Sequence, residues 1–157
     1  MKGSCKFCWL VSMALVVALG AMSYFFVIKG SVIKGDDGRT AILMTAGERN
    51  HVLGEMRGFL EAVQAITEGI ANDDMAVVAT SASAVGMALV GNESPALLAK
   101  MPIEFKKLGF SAHAAFDDLA QDATDVGDGK ILTAQLGDLL GRCTGCHAGY
   151  RFDIESN

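Results

Sequence analysis

The chain has 157 residues, 51% of them hydrophobic, with a formal net charge of −5. That length holds one ordinary domain and a short appendage, and hardly two independent cores. With 18 Asp and Glu against 13 Lys and Arg, the chain is a poor match for nucleic acid, whose phosphates demand clustered cations; an acidic surface suits a protein partner with a basic docking patch.

The apolar excess is concentrated at the N-terminus. From Phe7 to Ile28 there is no charged residue, and about 20 apolar residues at ~1.5 Å rise each match a hydrocarbon core ~30 Å thick. A transmembrane helix is therefore predicted within residues 1–29. A cleavable signal peptide competes, because Ala18-Leu19-Gly20 resembles a small-x-small cleavage site. The apolar run continues past it through Tyr24, Phe25, Phe26 and Ile28, however, and a secreted domain gains nothing from exposing those side chains. The expectation is an uncleaved anchor, with Trp9 and Tyr24 towards its two ends. Lys2 and Lys6 on one side balance Lys29 and Lys34 on the other, so charge bias does not set orientation. Cys5 and Cys8 read as small apolar residues at the membrane edge.

Residues 30–44 contain Gly30, Gly35 and Gly38 beside Asp36 and Asp37 and have the composition of a linker. Thr45-Ala46-Gly47-Glu48 is a capping box that starts a helix. Its apolar stripe is predicted as Leu53, Met56, Leu60, Val63, Thr67 and Ile70. Asn72, Asp73 and Asp74 break the chain and cap a second helix, carrying Val78, Val85 and Leu89 and ending near Gly91. Pro95 and Pro102 bracket a looser connection. A third helix runs from Ile103 to about Ala123 on Phe105, Leu108, Ala112, Ala115 or Phe116, and Leu119, and Gly127-Asp128-Gly129 ends it. A fourth, with Ile131, Leu132, Leu136, Leu139 and Leu140, leads into Cys143. No β-alternating stretch is expected. The predicted fold is all-α: an antiparallel four-helix bundle over 45–157, preceded by one N-terminal transmembrane helix, with a cofactor between the first and last bundle helices.

The segment Arg142-Cys143-Thr144-Gly145-Cys146-His147 carries the chemistry. On a helix Cys143 and Cys146 share a face, so both sulfurs can reach the vinyl groups of one porphyrin edge, and His147 can turn its imidazole to the iron. The pattern points to one covalently bound haem c. A redox dithiol would leave His147 unused and lacks a βαβ context, and a closed zinc site needs a fourth ligand. Arg142 and Arg151 flank the motif, where cations can pair with haem carboxylates.

Over residues 45 to 152 the chain resembles the class II c-type cytochromes, the cytochrome c′ group. The resemblance is carried by the ending Cys143-Thr144-Gly145-Cys146-His147-Ala148-Gly149-Tyr150-Arg151 and by the helix with Phe105-Lys106-Lys107-Leu108-Gly109 and Phe116-Asp117. It implies haem addition outside a bacterial inner membrane, hence a periplasmic haem domain and a cytoplasmic N-terminus. The anchor departs from the soluble members of the group. The resemblance also implies that the first helix faces the sixth iron position, where Met gives a low-spin carrier and an apolar residue leaves a gas-binding, five-coordinate iron. Met56, on the inward stripe, is the expected ligand together with His147, and the Met-ligated branch is the expected one; Met44 precedes the helix. His51 lies about 140° around the helix from Met56 and reads as solvated, and His113 as a satisfied residue. A cation at the position of Arg151 lies near the haem in the group, whereas Arg142 is more simply read as exposed.

The expected function is electron transfer between a membrane complex and a periplasmic redox partner, without enzyme chemistry of its own. The rivals are a protein that binds nitric oxide or carbon monoxide and a structural haem subunit of a membrane complex. The small side chains Ala76, Ala79, Ser81, Ala84 and Ala88 would also permit a homodimer.

Overall fold

The structure is a computed structural model that describes residues 3–155, with side chains from Lys6 onward. The flanking charge of Lys2 and the thiol of Cys5 lie outside the described residues. Helix α1 (Gly3–Ser23) runs into a π-helical turn, Tyr24–Lys29. The span Lys6–Lys29 is long and apolar enough to cross a membrane and none of it is buried in the protein. Phe7, Trp9, Phe25 and Phe26 are all exposed.

Four long or medium helices form the bundle: α2 (Ala46–Ala71), α3 (Met75–Ser83), α6 (Ile103–Asp125) and α7 (Gly129–Gly149). Two short helices, α4 (Met87–Val90) and α5 (Pro95–Lys100), occupy the connection between α3 and α6. α3 packs against α2 and α6, and α7 packs against α6 and α2, so the expected antiparallel bundle closes. Its core is built on Ile66, Val78, Phe116, Leu119, Leu132 and Leu139. The capping box forms as read: the Glu48 amide donates to Thr45 Oγ1 at 3.2 Å and the Thr45 amide donates to Glu48 Oε2 at 2.8 Å. Asp74 and Asp128 cap α3 and α7 in the same way.

Two sequence expectations fail for identifiable reasons. The stripe on α2 is rotated. Val52, Ala62 and Ile66 are buried, whereas Leu60 is 70% exposed and the exposed Thr67 donates its hydroxyl to the Val63 carbonyl. Counting only large side chains hid Ala62 and Gly69, and Gly69 is buried against Val78 of α3. The second helix also stops early, at Ser83. Asp117 of α6 pushes into the backbone there and accepts from the Met87 amide at 2.9 Å, and a Cβ on Gly86 would collide with its carboxylate.

Residues 30–44 are a β-hairpin rather than a linker. β1 (Val32–Lys34) pairs antiparallel with β2 (Thr40–Met44), and β2 pairs parallel with β3 (Tyr150–Ile154), in the order β1-β2-β3. The expectation that no strand occurs is thereby overturned. Thr40-Ala41-Ile42-Leu43-Met44 is a short apolar run after a Gly-Asp turn, the pattern of a covered central strand, and Tyr150-Arg151-Phe152-Asp153-Ile154 alternates apolar and polar. Ala41, Ile42 and Met44 are completely buried, and Ile42 and Met44 form a second core with Val52, Leu97, Met101 and Phe105.

The sheet also fixes the exit of α1. The Gly30 amide closes the π-helical turn onto the Phe25 carbonyl, and the Ser31 amide donates to the Lys100 carbonyl at 2.7 Å. Gly30 has φ of +67°, and a Cβ there would lie 2.7 Å from Pro102 N. Lys100 in turn bridges Glu48 and Glu155, at 2.7 and 2.5 Å.

Replacing Gly30→Ala combines a backbone conformation costly for any L side chain with a backbone clash. It should cost about 2–4 kcal/mol in chemical denaturation and expose the Lys29–Lys34 segment to trypsin. The Lys100 ammonium beside Glu48, and the Thr45 amide, hold the Glu48 carboxyl below the usual 4.5. Its contribution is therefore complete above 4.5 and lost as the pH falls through its lowered folded value. Glu48→Gln should cost about 0.5–1 kcal/mol in urea unfolding at neutral pH, a gap that closes in acid.

Candidate haem site

The buried stripe of α7 reads Leu132, Leu136, Leu139, then half-buried Cys143 and Cys146. These spacings of four, three, four and three hold one helical face without interruption. The packing that buries the leucines is thus the packing that turns both thiols inward. Cys143 joins the bundle core, and Cys146 joins the second core beside the sheet. The residues that bracket them are ordered by the sheet: β3 begins at Tyr150, and Arg39 of the hairpin donates to the carbonyls of His147 and Tyr150 at 3.3 and 3.4 Å. Tyr150 stacks edge-on against Phe105, which also meets Phe152 edge-on.

Two cavities meet at this place. The first, ≈370 Å³, is walled by α2, α6 and α7, chiefly by Met56, Phe59, Phe105, Phe116, Cys143 and Cys146. The second, ≈420 Å³, lies towards the sheet and is bordered by Arg39, Arg49, Leu53, Tyr150 and Arg151. Met56, Phe105, Cys146 and His147 border both. A cleft of this size, mostly apolar with a few polar groups at its margins, suits a flat organic cofactor.

The setting of the thiols bears on the candidate chemistries. Burial pushes both Cys143 and Cys146 up from the usual thiol range, and Cys143 raises Cys146 further. That direction is the opposite of the one that activates a redox dithiol, and a closed zinc site needs a fourth ligand beyond Cys143, Cys146 and His147. Two half-buried thiols against an apolar cleft, with His147 at its exposed margin, fit a covalently held porphyrin.

Of the residues singled out from the sequence, Cys143, Cys146, His147, Met56, His113, Arg142 and Arg151 border the two cavities, whereas Met44 and His51 do not. Met56 is half-buried on α2 and packs against the second core. Met44, in β2, is fully buried outside the cleft walls. Arg142 borders the first cavity and donates to the Ser111 carbonyl of α6. Arg151 borders the second and is held by Asp36, Asp37 and Asp153, at 2.6, 3.3 and 2.9 Å. His113 borders the first cavity, but its Nδ1 lies 2.8 Å from the Val85 carbonyl and its ring packs on Phe59, as befits a satisfied residue. His51 pairs with Glu93 at 2.9 Å instead of standing free in solvent.

Sequence reasoning missed Arg39, Arg49, Glu55 and Glu93. Arg49 opens the capped helix seven residues before Met56, about two turns, so helical spacing could have placed it near the same face. Arg39 reaches the site only through the parallel pairing of β2 with β3, which no local pattern signals. Glu55 lies beside Met56 in sequence, and burial together with Glu93 pushes its carboxyl up to about 7.

No protein-family model and no solved structure matches the chain. The chain is 30% identical over 140 residues to cytochrome c′ of Rhodopseudomonas palustris, an alignment that takes in 79% of this chain and 92% of that protein. With nearly the whole relative covered, and with the bundle and the Cys143–His147 ending in place, the chain belongs to the cytochrome c′ family.

Proposed function

We propose that this chain is a membrane-anchored protein carrying one covalent haem c, which passes single electrons between a membrane complex and a periplasmic redox partner. The observation that carries the reading is the unbroken buried face of α7 from Leu132 to Cys146, which turns two thiols into an apolar cleft that Met56 of α2 also borders. Haem c supplies an iron that gains and loses one electron. The chain's own residues do the rest. Cys143 and Cys146 would hold the group through thioether bonds, and His147 and Met56 would offer its iron an imidazole nitrogen and a thioether sulfur.

Phe59, Phe105 and Phe116 keep water from the cleft, which favours the less charged form of anything bound there. Arg142 and Arg151 offer positive charge to the haem carboxylates. Arg151 already shares its charge with three carboxylates, while among the described residues Arg142 pairs with a carbonyl and no carboxylate, so Arg142 has more charge to give.

The span Lys6–Lys29, fully exposed and without charge between its ends, supports the anchor. In this reading the N-terminus is cytoplasmic and the haem domain periplasmic at a bacterial inner membrane. Anchoring raises the effective concentration of the domain near membrane-bound partners, which suits a dedicated shuttle or a complex subunit.

Met56 decides between a carrier and a gas binder. The parent protein should show a sharp reduced α-band that carbon monoxide leaves unchanged, and Met56→Ala should turn high-spin and bind the gas. A parent spectrum that is broad, high-spin and shifted by carbon monoxide would make the cleft a gas site and Met56 a packing residue. For the anchor, the native protein should remain in the membrane pellet after alkaline carbonate extraction, and a chain beginning at Ser31 should be soluble. Recovery of a soluble protein whose N-terminus has been cut after Gly20 would make the apolar helix a signal peptide.

A further inference from the structure

At the rim of the first cavity, α2 and the segment between α4 and α5 bring three metal-ligating side chains together. His51 and Glu55 stand one helical turn apart on α2, so both project from one face. Glu93 comes from the other segment. One donor atom from each of the three lies within 4.8 Å of the others, the only such trio among the described residues. The rim is not loosely hydrated: the Glu93 side chain is only 12% exposed, while His51 remains open at 55%. Helix α5, which follows Glu93, begins at a capped Ser94 and Pro95, and Ser94 Oγ accepts from the Leu97 amide at 3.1 Å. That cap fixes the backbone that presents Glu93.

We infer that His51, Glu55 and Glu93 form a binding site for a divalent first-row transition ion such as zinc, separate from the Cys143–His147 centre. Two carboxylates converge with one imidazole at a half-buried rim, and a dication bound between them would offset the burial and the Glu93 repulsion that push the Glu55 carboxyl up. One nitrogen and two oxygen donors favour zinc or its neighbours over magnesium or calcium, which prefer oxygen alone. Three protein ligands leave at least one position for water, on the exposed His51 side. Glu55 and Glu93 also border the first cavity, so an ion held there would close the rim between α2 and the α4–α5 segment. None of this depends on which ligand the iron takes.

The test is calorimetric titration of the detergent-solubilised, haem-loaded protein, stripped beforehand with a chelator, using Zn²⁺ and then Mg²⁺ at about pH 8, since alkaline conditions favour the deprotonated ligands a metal needs. Zinc should saturate at one ion per chain and magnesium should give no heat. His51→Ala and Glu93→Gln, each with the parent's circular dichroism, should each weaken zinc binding by about tenfold or more. Absence of zinc uptake, or equal zinc affinity in the parent and both variants, would overturn the site and leave His51 and Glu93 as an ordinary ion pair; equal magnesium binding would overturn the transition-ion assignment.

Discussion

The parallel pairing of β2 with β3 is the constraint on which the rest of the molecule depends. It sets Thr40 against Tyr150 and Met44 against Ile154, joining the residues just after the apolar helix to those just after the thiol-bearing helix. Its register cannot slip, because a shift by one residue would turn Ile42 and Met44, both completely buried, out of the core. Closing a loop of more than a hundred residues costs entropy that grows only slowly with length, so the whole bundle can be enclosed between two strands at modest expense. What the closure gains is position. The strand that leaves α7 is held to the strand that enters α2, and the cleft lies between those two helices.

The same closure changes what the N-terminal helix can do. A flexible linker would let the bundle turn freely beneath its anchor, but Gly30 and Ser31 are seated on the backbone of Lys100 and Pro102, and Lys100 is tied to both Glu48 and Glu155. With the helix read as an anchor, the cleft would be held at one orientation to the membrane. A soluble carrier must find its partner by rotation as well as diffusion, whereas a domain fixed in this way gives up that search in exchange for presenting one face. On the anchor reading proposed above, that junction would suit a partner that also lies in the membrane plane.

The sequence disclosed the features whose signals are local and missed those that depend on distant packing. The capping box at Thr45, the cap at Asp74 and the helical spacing leading to Cys143 were legible because each is written within one or two turns of chain. The apolar face of α2 was misplaced because its closest contact uses Gly69 against Val78, and a hydrophobicity count gives a glycine no weight. The break after Ser83 was invisible because its cause, Asp117, is 30 residues away from the amide it caps. The sheet carried a local signal in the alternation of Tyr150 to Ile154, but a five-residue strand directly after a strong helix is easily taken for that helix's frayed end. Glycine and aspartate between Gly35 and Gly38 looked like the composition of a tether and are the turn of a hairpin, with the Gly35 amide bonded to the Arg39 carbonyl at 2.8 Å.

Arg39 shows how the additions to the bundle bear on its chemistry. Its guanidinium is held by Asp37 and donates to the carbonyl of His147, one of the last acceptors of α7, and to that of Tyr150 at the start of β3. The His147 carbonyl has no partner further along the helix, and a cation there also answers the negative end of the helix dipole. The backbone that carries the His147 imidazole is therefore tied to a residue from the hairpin, and the hairpin is in turn tied to the exit of α1. Position at the thiol-bearing end of the bundle is thus set by the same few strands that set the position of the apolar helix, so a change at the junction would be felt at His147 through hydrogen bonds rather than through the helical core.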